Sequence, residues 1–578
     1  MRDKTKRPTI YREFTLAAVL LGLLQGVLLN VAFVYIALKL GFSIGGSSIA
    51  SILGYVFLRL VLGKGTIVEN NINQTIASGI NSTGTGVVFV LPAVFLLSQQ
   101  NSIPFLPLLI AGLGGAVLGV ILIIPLRKQL IEQDRLRFPT GVAVAAIIRT
   151  GPAGLHKAKL LGIGFLIASS WKLLLLSGWL SMPGLIDLEF EELHFDFGVL
   201  PAYVAPMLSL SLLNFAAGML SGRAGLPFFI GGLLAWWIIS PATVSLGWIP
   251  AELSGVAQTD YIYGEILRPL GIGVLIGAAL IEVVLNYPSI KQAIHALAAA
   301  TQHQTGLDRE ELPVGVLIIG AIAALLFFFF ALWSTPGIAL WQALLAALLG
   351  TLWMGLAGLI VAEATGLTDV SPISGMALIS ITMMMLLLNG NLLAAMMVTI
   401  GVAIAIGQSA DMMQDLKTGF MVGSRPFWQQ VAQLATSWIG VLVAFATLYV
   451  LWHSGAGGAH GFGEGTSLPA PQASALTEVI NAVQTHSIPT EKFILGALVG
   501  IVLGFAPIAG LGILGGLAMY LPFSITLGYG LGCLTQMWVV RRKGLAFAEH
   551  QLVPLAAGLI IGEALTGVGA AIYALAMT

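Results

Sequence analysis

The sequence predicts an all-α polytopic membrane protein of about sixteen transmembrane helices in two tandem repeats of about eight, some of them broken or re-entrant. Three observations carry this expectation. Of 578 residues, 57% are apolar and only 9% charged, where an ordinary soluble domain is roughly a quarter charged. The apolar residues gather into runs of about 20, the length that crosses a bilayer. The 70 glycines lie inside those runs, in Gly115-x-x-x-Gly119, Gly218-x-x-x-Gly222, Gly496-x-x-x-Gly500-x-x-x-Gly504 and Gly558-x-x-x-Gly562. That spacing lets membrane helices meet backbone to backbone.

In chain order, Arg2, Lys4, Lys6, Arg7 and Arg12 precede an apolar run from Phe14 to Leu38. The run is too long for a cleavable signal peptide, so it reads as the first span. The positive-inside rule then puts the N-terminus in the cytoplasm, with Arg127, Lys128, Arg135 and Arg137, and leaves Asp187, Glu189, Glu191, Glu192 and Asp196 outside. Further runs cover about 42–62, 86–98, 105–126, 158–180, 198–219, 226–248, 264–285, 313–333, 338–361, 372–388, 391–410, 428–452, 492–510, 511–538 and 552–576. The polar stretch 286–312 near the midpoint divides a first transmembrane repeat, 1–285, from a second, 313–578, and the Gly-, Ser- and Pro-rich segment 453–490 reads as an exposed loop.

Two internal matches support duplication. Gly273 to Val283 (GVLIGAALIEV) aligns with Gly558 to Val568 (GLIIGEALTGV), and Gln133 to Gly141 resembles Gln414 to Gly419 across a short gap.

Composition also excludes functions. The 26 basic and 26 acidic residues balance, leaving no basic surface for nucleic acid. Cys533 is the single cysteine, so no internal disulfide or multi-cysteine metal motif exists. Gly510-x-Gly512-x-x-Gly515 fits a dinucleotide fingerprint only formally, since no strand precedes it, and no His-Glu-x-x-His occurs. An integral-membrane hydrolase lacks a nucleophile and base. No cofactor, metal site or catalytic residue is expected.

Hydrogen-bonding side chains at bilayer depth are costly and mark solute or ion paths, or packed pairs. One concentration is Glu69-Asn70-Asn71-Ile72-Asn73-Gln74-Thr75-Ile76-Ala77-Ser78-Gly79; another is Gln408-Ser409-Ala410-Asp411-Met412-Met413-Gln414-Asp415-Leu416-Lys417-Thr418-Gly419. On a helix Asp411 and Asp415 share one face, and such a pair can hold a proton between two states. Isolated candidates are Glu282, Asn286, Glu363, Asp369, Asn389, Asn391 and Glu563; Glu563 stands out because its helix is the repeated one.

At these residues the chain resembles the oligopeptide transporter superfamily, in its yellow-stripe-like and bacterial branches. The resemblance rests on Glu69 to Gly79 with Ser82, Gly84 and Pro92, on Phe138-Pro139-Thr140-Gly141 running to Arg149-Thr150-Gly151, and on Asp411 to Gly419 with Arg425-Pro426. Met519-Tyr520-Leu521-Pro522-Phe523 and Gly562-Glu563-Ala564-Leu565 complete it. The resemblance implies about sixteen helices with internal duplication and import of small peptides or metal chelates driven by protons as the coupling ion. It carries pathway roles onto Glu69 and its Asn and Gln neighbours and onto Asp411, Asp415 and Lys417. The Asn-Pro-Gly and Lys-Ile-Pro-Pro-Arg signatures of the peptide-transporting branch are absent, which argues against taking a peptide for granted and leaves a metal chelate, or another polar metabolite, equally open.

The resulting expectation is a proton-coupled transporter of the bacterial inner membrane, with the lipid bilayer as partner and a homodimer by analogy. Glu69, Asn70, Asn73, Gln74, Asn389, Gln408 and Lys417 would meet substrate, and Asp411, Asp415 and Glu563 would carry the proton. The alternative is a passive channel, which would need like residues repeated around an axis.

Overall fold

The computed structural model describes residues 12–577 apart from 43–44, 64, 98–103, 150–153, 181–184, 189–190, 196–200, 205–206, 286–310, 369–370, 372, 456–459, 464, 486–489, 509 and 520. Asn286, Asp369 and nearly all of the 286–312 connector therefore lie outside the described residues, as does the side chain of Glu282.

The chain is an all-α polytopic membrane protein. Helices of eight residues or more are α1 (Leu16–Leu40), α2 (Ser47–Gly54), α3 (Ile67–Leu97), α4 (Phe105–Ile123), α5 (Pro139–Arg149), α6 (Gly154–Leu176), α7 (Leu212–Ser221), α8 (Leu226–Leu233) and α9 (Arg268–Leu285). After the connector come α10 (Val314–Trp333), α11 (Leu340–Thr368), α12 (Ile373–Leu387), α13 (Leu392–Val422), α14 (Pro426–His453), α15 (Pro471–Thr485), α16 (Thr490–Gly504), α17 (Leu511–Met519), α18 (Phe523–Lys543) and α19 (Val553–Met577).

Among the described residues twelve helices are long and apolar enough to cross a membrane, against about sixteen anticipated from the apolar runs. The difference has two sources. Helical turns join α7 and α8 into one stretch, Leu212–Ser245, and the helices in the runs at 42–62, 372–388 and 492–510, Ser47–Val61, Ile373–Leu387 and Thr490–Gly504, are too short to cross. The stretch 453–490, read from composition as an exposed loop, contains α15, whose Ala473, Ala475, Leu476 and Ile480 are buried. It is tied in by the Ala470 amide on the Leu38 carbonyl (2.8 Å) and the Gln472 amide on the Gly41 carbonyl (2.6 Å).

Local signals set the ends of the helices that matter most. Thr66 and Glu69 form a reciprocal capping box at the start of α3: the Thr66 amide donates to Glu69 Oε2 (2.8 Å) and the Glu69 amide to Thr66 Oγ1 (3.2 Å). Asn391 caps α13 by accepting from the Ala394 amide, and Gly423, at φ 82°, ends it. These two 31-residue helices are the centre of the molecule, and nearly all of the apolar length of each is buried. They cross antiparallel. Helices α1 and α14 pack on α3, and α4 and α11 on α13.

The glycine stripes lie where helices touch. A Cβ at Gly273 or Gly277 of α9 would collide with the carbonyls of Phe493 or Ala497 on α16, and one at Gly496 or Gly500 with those of Leu270 or Val274. In α19, Gly558 and Gly562 face the carbonyls of Leu161 and Phe165 on α6. Gly115 and Gly119 face Gly401 and Ala405, and Gly218 faces Tyr529. Helices immersed in lipid gain little from hiding apolar area from one another, so close backbone packing carries their association.

Between α6 and α7 a small antiparallel sheet joins β1 (Ile186–Asp187), β2 (Glu192–His194) and β3 (Met207–Ser209), with Asp187 opposite Glu192 and Leu193 opposite Leu208. It delivers Glu191 into the helices beneath it.

Candidate functional site

Three helices each contribute a stripe of polar residues at i, i+4 spacing, and the stripes meet. Asp411 and Asp415 lie one turn apart on α13, Gln74 and Ser78 on α3, and Gln429 and Gln433 on α14. Because α3 runs antiparallel to α13, Gln74 comes level with Asp415 and Ser78 with Asp411. Gln74 donates to Asp415 Oδ1 (2.9 Å) and Gln433 to Asp415 Oδ2 (2.8 Å). The Gln429 amide donates to the Asp415 carbonyl (2.7 Å) and to Thr75 Oγ1 (3.1 Å). Ser78 Oγ donates to Asp411, lying 2.7 and 2.8 Å from its two oxygens, and is itself paired with Ser47 of α2 (2.8 Å). Asp415 is 1% exposed; Asp411 keeps a partly exposed face. Among the described residues no cation touches either carboxylate.

The same region holds fully buried amides without partners inside the chain. Neither amide atom of Gln408 or of Asn71 is hydrogen-bonded, nor are the side-chain oxygens of Gln74, Gln429, Gln433 and Asn73. An unmet buried polar atom costs about 1–3 kcal/mol, so a concentration of them marks a place kept for something other than packing. Gly79 lies among them: a Cβ there would sit 2.9 Å from Gln433 Cγ and 3.4 Å from Gln408 Nε2.

The remaining sequence candidates are distributed as follows. Asn70 donates to the Ser51 carbonyl (2.9 Å) and Asn73 to that of Ala50 (3.2 Å), fastening α2 to α3. Glu69 spends its carboxylate on the capping box. Lys417 turns away and donates to the Leu136 carbonyl (2.9 Å). Asn389 sits in an exposed turn at φ 50°, apart from the carboxylate pair, while its neighbour Asn391 caps α13.

Glu563 belongs to a second, separate cluster. It accepts from Ser211 Oγ (2.5 Å) and the Leu213 amide (2.8 Å), capping α7, and lies 3.4 Å from Lys39 Nζ. Lys39 is 2.6 Å from Glu191, which also pairs with Lys172. Lys172 stands 5.8 Å from the Tyr35 ring centroid. All four ionic side chains are buried. Burial alone would push the Glu191 carboxyl up, but Lys39 and Lys172 together outweigh it and hold it at about 2. Lys39, Lys172, Gln429 and Gln433 are not singled out by the sequence; Ser78 belongs to the polar stretch Glu69 to Gly79, and Glu191 to an acidic segment read only as facing outward. Only the pair of glutamines carried a signal, their four-residue spacing at the start of an apolar run.

A family model described as OPT oligopeptide transporter protein matches residues 13–574. The chain belongs to this oligopeptide transporter family. It is therefore a transporter and not an enzyme. A putative oligopeptide transporter of Haemophilus influenzae is 27% identical, with 92% of this chain and 91% of the relative covered. The metal-nicotianamine transporter YSL2 of Arabidopsis thaliana is 24% identical over 78% of this chain and 75% of its own length.

Proposed function

We propose that the chain is a proton-coupled secondary transporter that imports small oligopeptides or metal-chelate complexes across the bacterial inner membrane by alternating access. The observation that carries this reading is the Asp411/Asp415 pair: two carboxylates one turn apart, one buried and one partly exposed, solvated by hydroxyl and amide donors and without a cation among the described residues. Two like charges so placed favour sharing a proton over ionising together. The paired helices that hold them come from opposite halves of the chain, where a rocking motion would change their surroundings.

Two related halves are supported by contacts that recur position for position. Gly164 on α6 meets the carbonyl of Leu555 on α19 as Gly496 on α16 meets that of Leu270 on α9; Gly558 and Gly562 meet α6 as Gly273 and Gly277 meet α16. In this correspondence α3 matches α13 and α8 matches α18, and each such pair runs antiparallel: Gly232 lies against Thr526, and Gly225 against Cys533. The halves are then inverted relative to one another, the arrangement suited to exposing a central site alternately to two sides.

The orientation follows from charge. Lys39 and Lys172, near the ends of α1 and α6, share Glu191, so both helices begin at the opposite end of the bundle. There His156 meets Gln551 (2.9 Å), shortly after Arg541-Arg542-Lys543 closes α18. The Arg541-Arg542-Lys543 cluster thus lies toward the end at which α1 begins, which the positive-inside rule would make cytoplasmic.

In proteoliposomes with an imposed pH gradient, substrate uptake should acidify the lumen. Asp415→Asn should abolish gradient-driven uptake while preserving exchange of solute across the membrane. Uptake by the variant that still follows the gradient would remove Asp415 from the coupling.

A further inference from the structure

We infer that the transported solute is anchored through an unblocked ammonium group on Asp411, so that this chain selects amine-bearing peptides and rejects anionic chelates. The inference rests on the transporter reading and narrows its substrate class.

The two carboxylates are not equivalent. Asp415 is 1% exposed, and each of its oxygens already accepts an amide donor, from Gln74 and from Gln433. Asp411 is partly exposed and receives one hydroxyl, from Ser78, with Gln433 more distant at 3.4 Å. Charge that arrives from outside the chain meets Asp411 first.

A second observation points to a ligand independently of the acids. Gln408, three residues before Asp411 on the same helix, is fully buried, yet both of its amide atoms lack partners. It packs against the bare backbone of Gly79 together with Gln433, whose own oxygen is also unpartnered. The site therefore offers a carboxylate and a free amide oxygen beside a side chain with one free donor and one free acceptor. An ammonium followed by a peptide group is the complement: the ammonium takes Asp411 and the Gln433 oxygen, and the carbonyl and N–H that follow take the two ends of Gln408.

Carboxylate recognition has no counterpart here. Lys417 is turned to the Leu136 carbonyl, and no arginine or lysine bonds to the pair among the described residues. A chelate presenting carboxylates, with its amines bound to metal, would set like charges against Asp411.

Equilibrium binding to the purified full-length protein tests this, using trialanine, N-acetyl-trialanine and nickel–nicotianamine as probes. Trialanine should bind about 10- to 100-fold more tightly than its acetylated form, the loss associated with one charge-assisted hydrogen bond. In Asp411→Asn that preference should vanish; in Gln408→Leu both peptides should weaken together with the preference retained. Equal binding of free and acetylated peptide, binding of the nickel chelate in preference to trialanine, or no binding of trialanine at millimolar concentration would each overturn the anchor. Failure of proton-linked uptake in vesicles, with the amine preference intact, would instead count against the coupling and leave the anchor standing.

Discussion

Glu191→Gln isolates the energetics of the buried ionic cluster. In the native protein two lysines and two glutamates balance: Lys39 lies 2.6 Å from Glu191 and 3.4 Å from Glu563, Lys172 also pairs with Glu191, and no side chain of the four is more than 5% exposed. The substitution leaves two buried ammonium groups facing one carboxylate. Removing one partner of a buried pair costs about 3–5 kcal/mol. The two ammonium groups hold the carboxyl well below its ordinary range, which gives the pH dependence its sign. Because the folded protein holds this carboxyl low, the stabilisation is complete above the ordinary carboxyl range and is lost as pH falls toward 2. Unfolding in detergent, followed by tryptophan fluorescence, should show the variant less stable by about 3 kcal/mol at neutral pH, with the gap closing in acid. Adding Lys172→Met should recover more than half of the loss, since Lys39 and Glu563 then remain as a balanced pair. A deficit under about 1 kcal/mol, or one that widens in acid, would refute the account.

The other expectations are narrower. Glu69→Ala should lower stability by about 0.5–2 kcal/mol through its capping box while leaving uptake intact; loss of transport with folding preserved would return Glu69 to the pathway. Gly500→Val should abolish folded yield, because the new side chain meets the Val274 carbonyl; normal yield and gel-filtration behaviour would contradict the close α9–α16 contact. Gly79→Ala, whose Cβ would reach Gln433 Cγ at 2.9 Å and so displace that side chain, should raise KM with little change in maximal rate, and an unchanged KM would separate the Gly79–Gln433 contact from solute binding.

What the sequence made legible was what one dimension can record. Apolar runs announce helices that must lie in lipid, and glycines four apart mark the faces that touch. The polar stretches of α3 and α13 were visible because seven hydrogen-bonding side chains in Glu69 to Gly79 have no business facing hydrocarbon. Gln429 and Gln433 were hidden because the first turns of a helix after Arg425-Pro426 usually meet water. Lys39 and Lys172 lie near the ends of apolar runs, where lysine ordinarily snorkels to the surface, and Glu191 sits in an acidic stretch suited to solvent. Their convergence is a tertiary fact that no local pattern encodes. Charge near a polar run points Glu69 and Lys417 to the pathway, whereas in the structure their polar atoms bond at a helix N-terminus and to a loop carbonyl.

The contrast between the two buried ionic clusters indicates where function resides. Taking a charge out of water is expensive, and the expense must be offset inside the fold. Lys39, Lys172, Glu191 and Glu563 offset one another, so their cluster is complete without any visitor and serves to hold α1, α6, α19 and the small sheet in register. Asp411 and Asp415 have no such counter-charge among the described residues. Ser78, Gln74 and Gln433 solvate them but do not neutralise them, and the unpartnered amide of Gln408 stands one turn away. Neutrality at that site has to be supplied by something that comes and goes, and an arriving proton or an arriving ammonium each meets the requirement. A carboxylate pair on α13 that can be balanced in two ways, and that is solvated by side chains of α3 and α14, would link the occupancy of one charge to the other, the linkage that the proposed coupled transport requires.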